Sequence, residues 1–220
     1  MKLFEDSQIY RVTEIKKLKG RQKYRVLYLD GIKSGNFFEE SLFRLNIKEG
    51  SHLSEKEINQ LKRFQKEREA ERVAINYLSY KPRSINELRR KLWTKKISDA
   101  MIDITIEKMK NYGYLDDEKY ARDWIEERIR TRGFSSSKIK SELFLKGISK
   151  EIIENNLTEI YTPELEIKTA KRIAKKQIRK YKALDKKVIR RRIINFLLRK
   201  GYNYSVIESI LPEIIQDLHN

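Results

Sequence analysis

Cations are the most numerous side chains capable of chemistry in this sequence, and most of their excess lies near the C-terminal end. The 220 residues include 50 Lys and Arg against 32 Asp and Glu, which gives a net charge of +18. Between Pro163 and Lys200 there are fifteen Lys or Arg and three Asp or Glu, so this segment alone carries +12. A charge of this size favours binding to a polyanion, with nucleic acid as the first candidate and an acidic protein or lipid surface as the second.

The basic segment also has the apolar periodicity of helices, which predicts a folded basic face instead of a disordered tail. The candidate polyanion contacts are the cations that lie beside the apolar positions of the first helix of the basic segment and those in the helix that follows. Cations in a turn and a helix earlier in the chain are also candidates. All the candidates together are Lys81, Arg83, Arg89, Arg90, Lys171, Arg172, Lys175, Lys176, Arg179, Lys180, Arg190, Arg191, Arg192, Arg199 and Lys200. The same cations would also suit an acidic protein surface or simple solvation. A membrane surface is disfavoured, because the helix lacks the large aromatics that anchor such helices.

Aromatic side chains divide into predicted core residues and candidates for base stacking. Those expected in the core, because they fall at apolar helical positions, are Tyr77, Trp93, Trp124 and Phe144. Tyr202 and Tyr204 lie beside Lys200 in a predicted turn, where an exposed ring can stack on a nucleic-acid base.

No residue pattern indicates an enzyme. There is no cysteine, and the two histidines, His52 and His219, leave little for zinc or Ser–His chemistry. The acidic run at 116–118 would suit a divalent metal and nuclease chemistry, but it also reads as a helix start with Asp116 as N-cap. We predict no catalytic residue, no metal and no cofactor. The apolar stretch Ile193–Leu198 has six residues, against the ~20 of a membrane span.

From residue 66 onward the chain repeats a three-helix pattern. At an offset of 51 residues the apolar positions of Ser84–Leu115 recur in Ser136–Tyr161, and at an offset of 54 they recur again. Matched sets are Leu88, Ile139 and Ile193; Leu92, Leu143 and Leu197; and Ile102, Ile153 and Ile207. Each copy's apolar stripe is too narrow to close a core alone. We therefore predict a mainly α fold, with three tandem three-helix repeats stacked in an elongated array.

The first 50 residues have a different, strand-forming composition. Tyr24–Leu29 and Ile32–Phe38 flank an Asp-Gly pair, which is a strong hairpin signal, and Gln8–Lys16 is the expected third strand. Ser54 and Glu57 have the spacing of a capping box, which predicts a helix start. The predicted organisation is a β-rich extension at 1–52 (a hairpin or three strands), a linker helix at 53–65, and repeats at 66–115, 116–161 and 162–220. Within the repeats, the predicted first helices are Glu67–Ser79, Asp117–Arg132 and Pro163–Lys182.

Motifs spread along the whole chain, in this order and spacing, resemble the RecX family of regulatory proteins. Those of the first repeat are Ala74-x-x-Tyr77-Leu78, Lys81-Pro82-Arg83-Ser84, Glu87-Leu88-Arg89 and Lys91-Leu92. Those of the second are Gly113-Tyr114-Leu115-Asp116-Asp117, Tyr120-Ala121, Trp124-Ile125 and Glu142-Leu143-x-x-Lys146-Gly147-Ile148. The N-terminal hairpin, with Lys48-Glu49-Gly50 and Leu53-Ser54, resembles the extension of Gram-positive-type members.

The resemblance implies a bacterial, cytoplasmic, non-enzymatic modulator of the RecA recombinase. Such a protein binds along the helical groove of RecA filaments on DNA and suppresses strand exchange, ATP hydrolysis and coprotease activity. The expected partners are the RecA filament and single- and double-stranded DNA, and we expect a monomer. The family has no short functional motif to transfer, so the basic residues named above stay the site prediction. The alternative is a stand-alone DNA- or RNA-binding protein that acts through its basic third repeat.

Overall fold

A computed structural model of the chain describes residues 8–20, 23–181 and 184–216. Its strands are β1 (Ile9–Lys17), β2 (Tyr24–Leu29), β3 (Ile32–Phe38) and β4 (His52–Ser54). Its helices are α1 (Glu39–Arg44), α2 (Glu55–Leu78), α3 (Ile85–Thr94), α4 (Asp99–Asn111), α5 (Asp117–Glu127), α6 (Ser136–Leu145), α7 (Lys150–Ile160), α8 (Pro163–Ile178), α9 (Lys186–Arg199) and α10 (Tyr204–Gln216). The chain divides into two units, Met1–Ser79 with Leu92–Lys108 and Tyr80–Lys91 with Met109–Asn220.

The first unit contains an antiparallel sheet with the strand order β3-β2-β1-β4. Asp30 and Gly31 both have positive φ, 48° and 80°, as a type I′ hairpin turn requires. The predicted hairpin and the predicted third strand are confirmed. Strand β4 was not predicted; it pairs with the start of β1, with Ser54 opposite Ile9. Three residues are too few to show the alternation that identifies a strand in a sequence.

Helix α2 begins at the predicted capping box. The Ser54 amide donates to Glu57 Oε2 at 2.8 Å, and the Glu57 amide donates to Ser54 Oγ at 3.3 Å. The helix then continues unbroken to Leu78. The predicted linker helix at 53–65 and the predicted helix at 67–79 therefore form one helix, whose first turns pack on the core of the sheet.

An ion-pair cluster around the buried Glu71 joins α2 to α4 within the first unit. The Glu71 carboxylate accepts hydrogen bonds from Lys108 Nζ at 2.5 Å and from Arg68 Nη1 at 2.8 Å. Lys108 Nζ also donates to Glu67 at 2.5 Å. Burial alone would raise the pKa of Glu71, but the two cations outweigh it and lower that pKa below its ordinary value.

In the second unit, α5–α7 and α8–α10 each form a three-helix module with its own core. The core of α5–α7 contains Tyr120, Ala121, Ile125, Ile139, Leu143, Ile148, Ile153, Leu157 and Tyr161. That of α8–α10 contains Ala170, Ile173, Ala174, Ile178, Ile189, Ile193, Leu197, Tyr202, Ile207, Ile210, Leu211 and Ile214. The offset of 54 residues predicted the buried pairs Ile139 and Ile193, Leu143 and Leu197, and Ile153 and Ile207. Helix α5 is followed by a π-helical turn, Arg128–Arg132.

The prediction that Trp93 and Phe144 lie in the core is wrong, because they are 69 % and 68 % exposed. Each follows a fully buried leucine, Leu92 or Leu143. Consecutive side chains on a helix point about 100° apart, so the leucine takes the core side and the aromatic ring turns outward. Trp124 and Tyr77 are half-buried.

The prediction of a base-stacking role for Tyr202 is also wrong. Its side chain is 2 % exposed, and its hydroxyl donates to the Gly133 carbonyl oxygen at 3.3 Å. Tyr204 is 58 % exposed, so its ring stays available for stacking. The predicted end of the third repeat's first helix, Lys182, and the histidine at 219 lie outside the described residues.

Candidate nucleic-acid interface

The loop before α3 contacts the C-terminal end of α6. We call this contact the first junction, and it comprises residues 81–87, Lys146 and Gly147. Ser84 Oγ donates to the Lys146 carbonyl oxygen at 2.7 Å. Gly147 has a φ of +78°, and a Cβ there would lie 2.1 Å from the Asn86 side-chain amide. Glycine at this helix end is therefore needed both for the left-handed backbone and for the close approach.

A carboxylate neutralises the cations of the first junction. Glu87 Oε1 lies 3.2 Å from Lys146 Nζ and 3.8 Å from Arg83 Nη1, and its Oε2 accepts from the Ser84 amide at 3.1 Å. Burial would raise the pKa of Glu87, but the amide and the two cations lower it. Arg83, a predicted contact, is thus part of an internal ion pair. Lys81, Arg89 and Arg90 are exposed, as an interface requires.

The loop before α6 contacts the C-terminal end of α9. We call this contact the second junction, and it comprises residues 132–138, Lys200 and Gly201. The Ser135 amide donates to the Lys200 carbonyl oxygen at 3.0 Å. Gly201 has a φ of +92°, and a Cβ there would lie 2.7 Å from Lys138 Cβ. The hydroxyl of Tyr161 donates to the Phe134 carbonyl oxygen at 2.9 Å and secures the same loop.

Cations crowd together at the second junction. Lys200 Nζ donates to the Arg132 carbonyl oxygen, and Lys138 Nζ donates to the Arg199 carbonyl oxygen, each at 2.8 Å. Both ammonium groups lie over the Phe134 ring, at 5.0 Å and 4.8 Å from its centre. Burial first, and then the charges of Arg132 and Lys138, lower the pKa of Lys200. The structure thus places predicted Lys200 and Arg199 together and adds Arg132 and Lys138, which sequence reasoning missed.

The predicted cations of α8 fall into two groups: some bind partners within the protein, and the others are exposed. Lys171 and Lys175 both reach the Glu213 carboxylate of α10, at 2.5 Å and 3.0 Å. Arg172 Nη2 donates to the Ile129 carbonyl oxygen at 2.8 Å. The remaining three, Lys176, Arg179 and Lys180, are exposed at the end of α8 and in the 3₁₀ turn that follows; we call them the exposed stripe.

The arginines at 190–192 are all exposed and lie in the first half of α9. Arg190 forms an ion pair with Glu208 of α10 at 3.3 Å, and the Arg192 guanidinium lies 5.2 Å from the centre of the Tyr181 ring. Arg191 and, at the other end of the helix, Arg199 are also exposed. The predicted cations of α9 are therefore three in its first half and one at its C-terminal end.

The acidic run at 116–118 does not converge on one point. Asp116 Oδ1 accepts from the Lys119 amide as the predicted N-cap, Asp117 accepts from the Ile85 amide, and Glu118 accepts from the Asn156 amide group. Among the described residues, no group of three or more His, Cys, Asp and Glu is arranged to hold a metal ion. In that same part of the chain, no helix has both the length and the apolar character to cross a membrane.

Three family models match the helical part of the chain. They are described as RecX, first three-helix domain, at residues 70–109; RecX, second three-helix domain, at 116–157; and RecX, third three-helix domain, at 164–211. Together they cover more than half of the 220 residues. These matches confirm the predicted fold class, mainly helical with three tandem three-helix repeats behind a small β element. The domain boundaries drawn from the sequence stay a prediction.

The chain is similar to curated proteins called regulatory protein RecX. The one from Finegoldia magna is 36 % identical over 146 residues, which is 64 % of this chain and 70 % of the relative. The one from Caldanaerobacter subterraneus subsp. tengcongensis is 30 % identical over 200 residues, which is 91 % of this chain and 98 % of the relative.

Two crystal structures are similar in fold. One, of a regulatory protein RecX, has a TM-score of 0.69 at 26 % identity and covers 91 % of this chain and 98 % of its own. The other, of RecX from Lactobacillus salivarius, has a TM-score of 0.59 at 28 % identity and covers 70 % of this chain and 97 % of its own.

Proposed function

The chain belongs to the RecX family of regulatory proteins, and on that premise we propose that it regulates the RecA recombinase by binding RecA filaments on DNA, along the filament groove. Regulation of RecA is what membership of the family implies. The mode of binding and its direction, inhibition of the recombinase, ATPase and coprotease activities, are our proposal. The protein acts by binding and catalyses no reaction. Its placement in the cytoplasm and its action as a monomer stay predictions.

The observation that carries the binding mode is the exposed stripe of Lys176, Arg179 and Lys180. On a rise of ~1.5 Å per residue these cations follow one another over a few ångströms, close enough to contact consecutive phosphates of one strand. Their neighbours Lys171 and Lys175 already share a carboxylate with α10. A cation without such an internal partner has no ion pair to break when it binds a phosphate or an acidic RecA surface, so its binding is more favourable.

The test is ATP hydrolysis by RecA on single-stranded DNA while the protein is titrated in. We expect hydrolysis to fall at less than one protein per RecA subunit, because a groove-bound regulator affects more than one subunit. Filament length, measured by microscopy, and strand exchange should fall in parallel. If stoichiometric protein leaves all three unchanged, the proposal fails.

A matched pair of double variants tests the exposed stripe. Lys176→Ala with Lys180→Ala removes two exposed cations, and Lys171→Ala with Lys175→Ala removes two that are held by Glu213. Both lower the net charge by two on the same helix. We expect the first pair to weaken inhibition of RecA several-fold and the second to change it little. Equal effects would exclude the exposed stripe as the contact.

Stand-alone binding to DNA or RNA is the second candidate, and the crowded cations of the second junction favour it. It requires tight binding at physiological salt in the absence of RecA, with no effect on RecA activity. The logarithm of the affinity should then fall with the logarithm of salt, by about 0.7 per phosphate on single strands. Weak binding without RecA, together with inhibited hydrolysis, would favour filament regulation.

A further inference from the structure

The two junctions of the second unit are copies of one arrangement. Ser84 and Ser135, which are 51 residues apart, both bind the carbonyl oxygen of a helix-ending lysine: the Ser84 hydroxyl donates to Lys146, and the Ser135 backbone amide donates to Lys200. In each case the next residue is a glycine with positive φ that is packed too closely for a side chain. In both junctions the first amide of the second helix donates to an acid from the module that follows.

One position in this shared arrangement has the opposite charge. Fifty-one residues after Glu87, which neutralises Lys146 in the first junction, the chain has Lys138. Both residues occupy the third position of their helix, where each amide donates to the capping serine. The second junction therefore has a cation at the position where the first has its neutralising carboxylate.

The carboxylate that remains nearby does not replace the missing one. Glu166 accepts from the Ser136 amide at 2.9 Å and from the Ser136 hydroxyl at 3.1 Å. Burial first, and then the positive charges of Arg132 and Lys138, lower the pKa of Lys200. Neighbouring like charges disfavour one another's charged form, and an anion bound between them would relieve that repulsion.

We propose that the second junction is a phosphate-binding site formed by Arg132, Lys138 and Lys200, and that it binds a backbone phosphate of DNA. A lysine ammonium has three donors. Lys138 and Lys200 each use one on a backbone carbonyl, which leaves further donors for an anion. Those carbonyl bonds and the Phe134 ring hold the two ammonium groups in place before the anion arrives. The assignment to DNA rests on the proposed function, whereas the phosphate site itself does not.

The decisive variant is Lys138→Glu, which gives the second junction an acid at the position that Glu87 occupies in the first. We expect it to fold and to melt at a higher temperature than the wild type in chloride, because it removes a repulsion between like charges and places an acid in the first turn of α6, where the helix dipole favours it. Inorganic phosphate should raise the melting temperature of the wild type, compared with chloride at equal ionic strength, by more than that of the variant, which should show only the general stabilisation that phosphate gives folded proteins. The same phosphate response in both proteins would overturn the site.

Binding to a single-stranded oligonucleotide tests the assignment to DNA. We expect Lys138→Glu to reduce the steepness of the salt dependence by at least the ~0.7 of one phosphate contact. The control is Lys119→Glu, which changes the charge equally at the third position of α5, where the Lys119 amide meets the capping Asp116. An equal reduction in the control, or none in Lys138→Glu, would overturn the DNA assignment.

Two further measurements separate the possible failures. If Lys138→Glu does not fold, Lys138→Gln removes the cation without adding an acid, and it should lose the phosphate response in the same way. A retained response in Lys138→Gln would overturn the proposal. Both readouts are made without RecA, so a failure of the filament proposal would not alter them.

Discussion

Gly147 is a residue at which one added methyl group tests the close packing of the first junction. Its Cβ would meet Asn86 at 2.1 Å, whereas Gly113, at nearly the same φ, has nothing within 4 Å. We expect Gly113→Ala to cost about 1–2 kcal/mol, the penalty of the left-handed backbone. Gly147→Ala should cost a further ~1–3 kcal/mol from overpacking. Urea unfolding measures both variants, and equal losses would contradict the close approach.

Glu71 gives the first unit a stability that depends on pH. Its pKa is lowered in the folded protein, so its contribution is fully present above its ordinary value of 4.5 and is lost as the pH falls through the folded-state pKa. We expect Glu71→Gln to lower the free energy of unfolding at pH 6 by about 1–3 kcal/mol. The difference from the wild type should shrink as the pH falls below 4.5. Urea unfolding across this range measures it, and a difference independent of pH would contradict the ion-pair cluster.

At the scale of elements, Glu213 of α10 determines how many cations α8 presents. It holds both Lys171 and Lys175, and the pKa of Glu213 is lowered by its hydrogen bonds from them. We expect Glu213→Gln to raise affinity for single-stranded DNA and to steepen its salt dependence, because two cations are released. Stability should change little, since solvent screens these part-exposed pairs. Glu151→Gln, an exposed change of the same charge on α7, is the control and should alter neither.

The helices and their buried positions could be predicted from the sequence, because three matched copies reveal the apolar spacing. What the spacing does not specify is which neighbour of a core residue points outward, so Trp93 and Phe144 were wrongly placed. Glu213 could not be found from α8 alone, because its partners lie 42 and 38 residues away along the chain. Lys138 did leave a signal: the offset of 51 that aligns Leu88 with Ile139 also aligns Glu87 with Lys138.

At the scale of the whole molecule, the net charge of +18 overstates what is available for binding. Within the basic segment, Lys171 and Lys175 share Glu213, and Arg190 pairs with Glu208. Both acids lie in α10, beyond that segment. Affinity for a polyanion should therefore follow the exposed stripe and the second junction instead of the total charge.

Two triple charge reversals separate local charge from total charge. The first is Lys176→Glu, Arg179→Glu and Lys180→Glu; the second is Lys33→Glu, Lys48→Glu and Lys56→Glu, at exposed positions of the first unit. Each set takes the net charge from +18 to +12, because every reversal changes the charge by two. We expect the first to lower affinity for single-stranded DNA by at least roughly tenfold, since the three cations proposed to contact phosphates are lost. It should also abolish inhibition of RecA ATP hydrolysis, while the second leaves both nearly unchanged. Equal losses in the two variants would mean that total charge governs binding and that the exposed stripe has no special role.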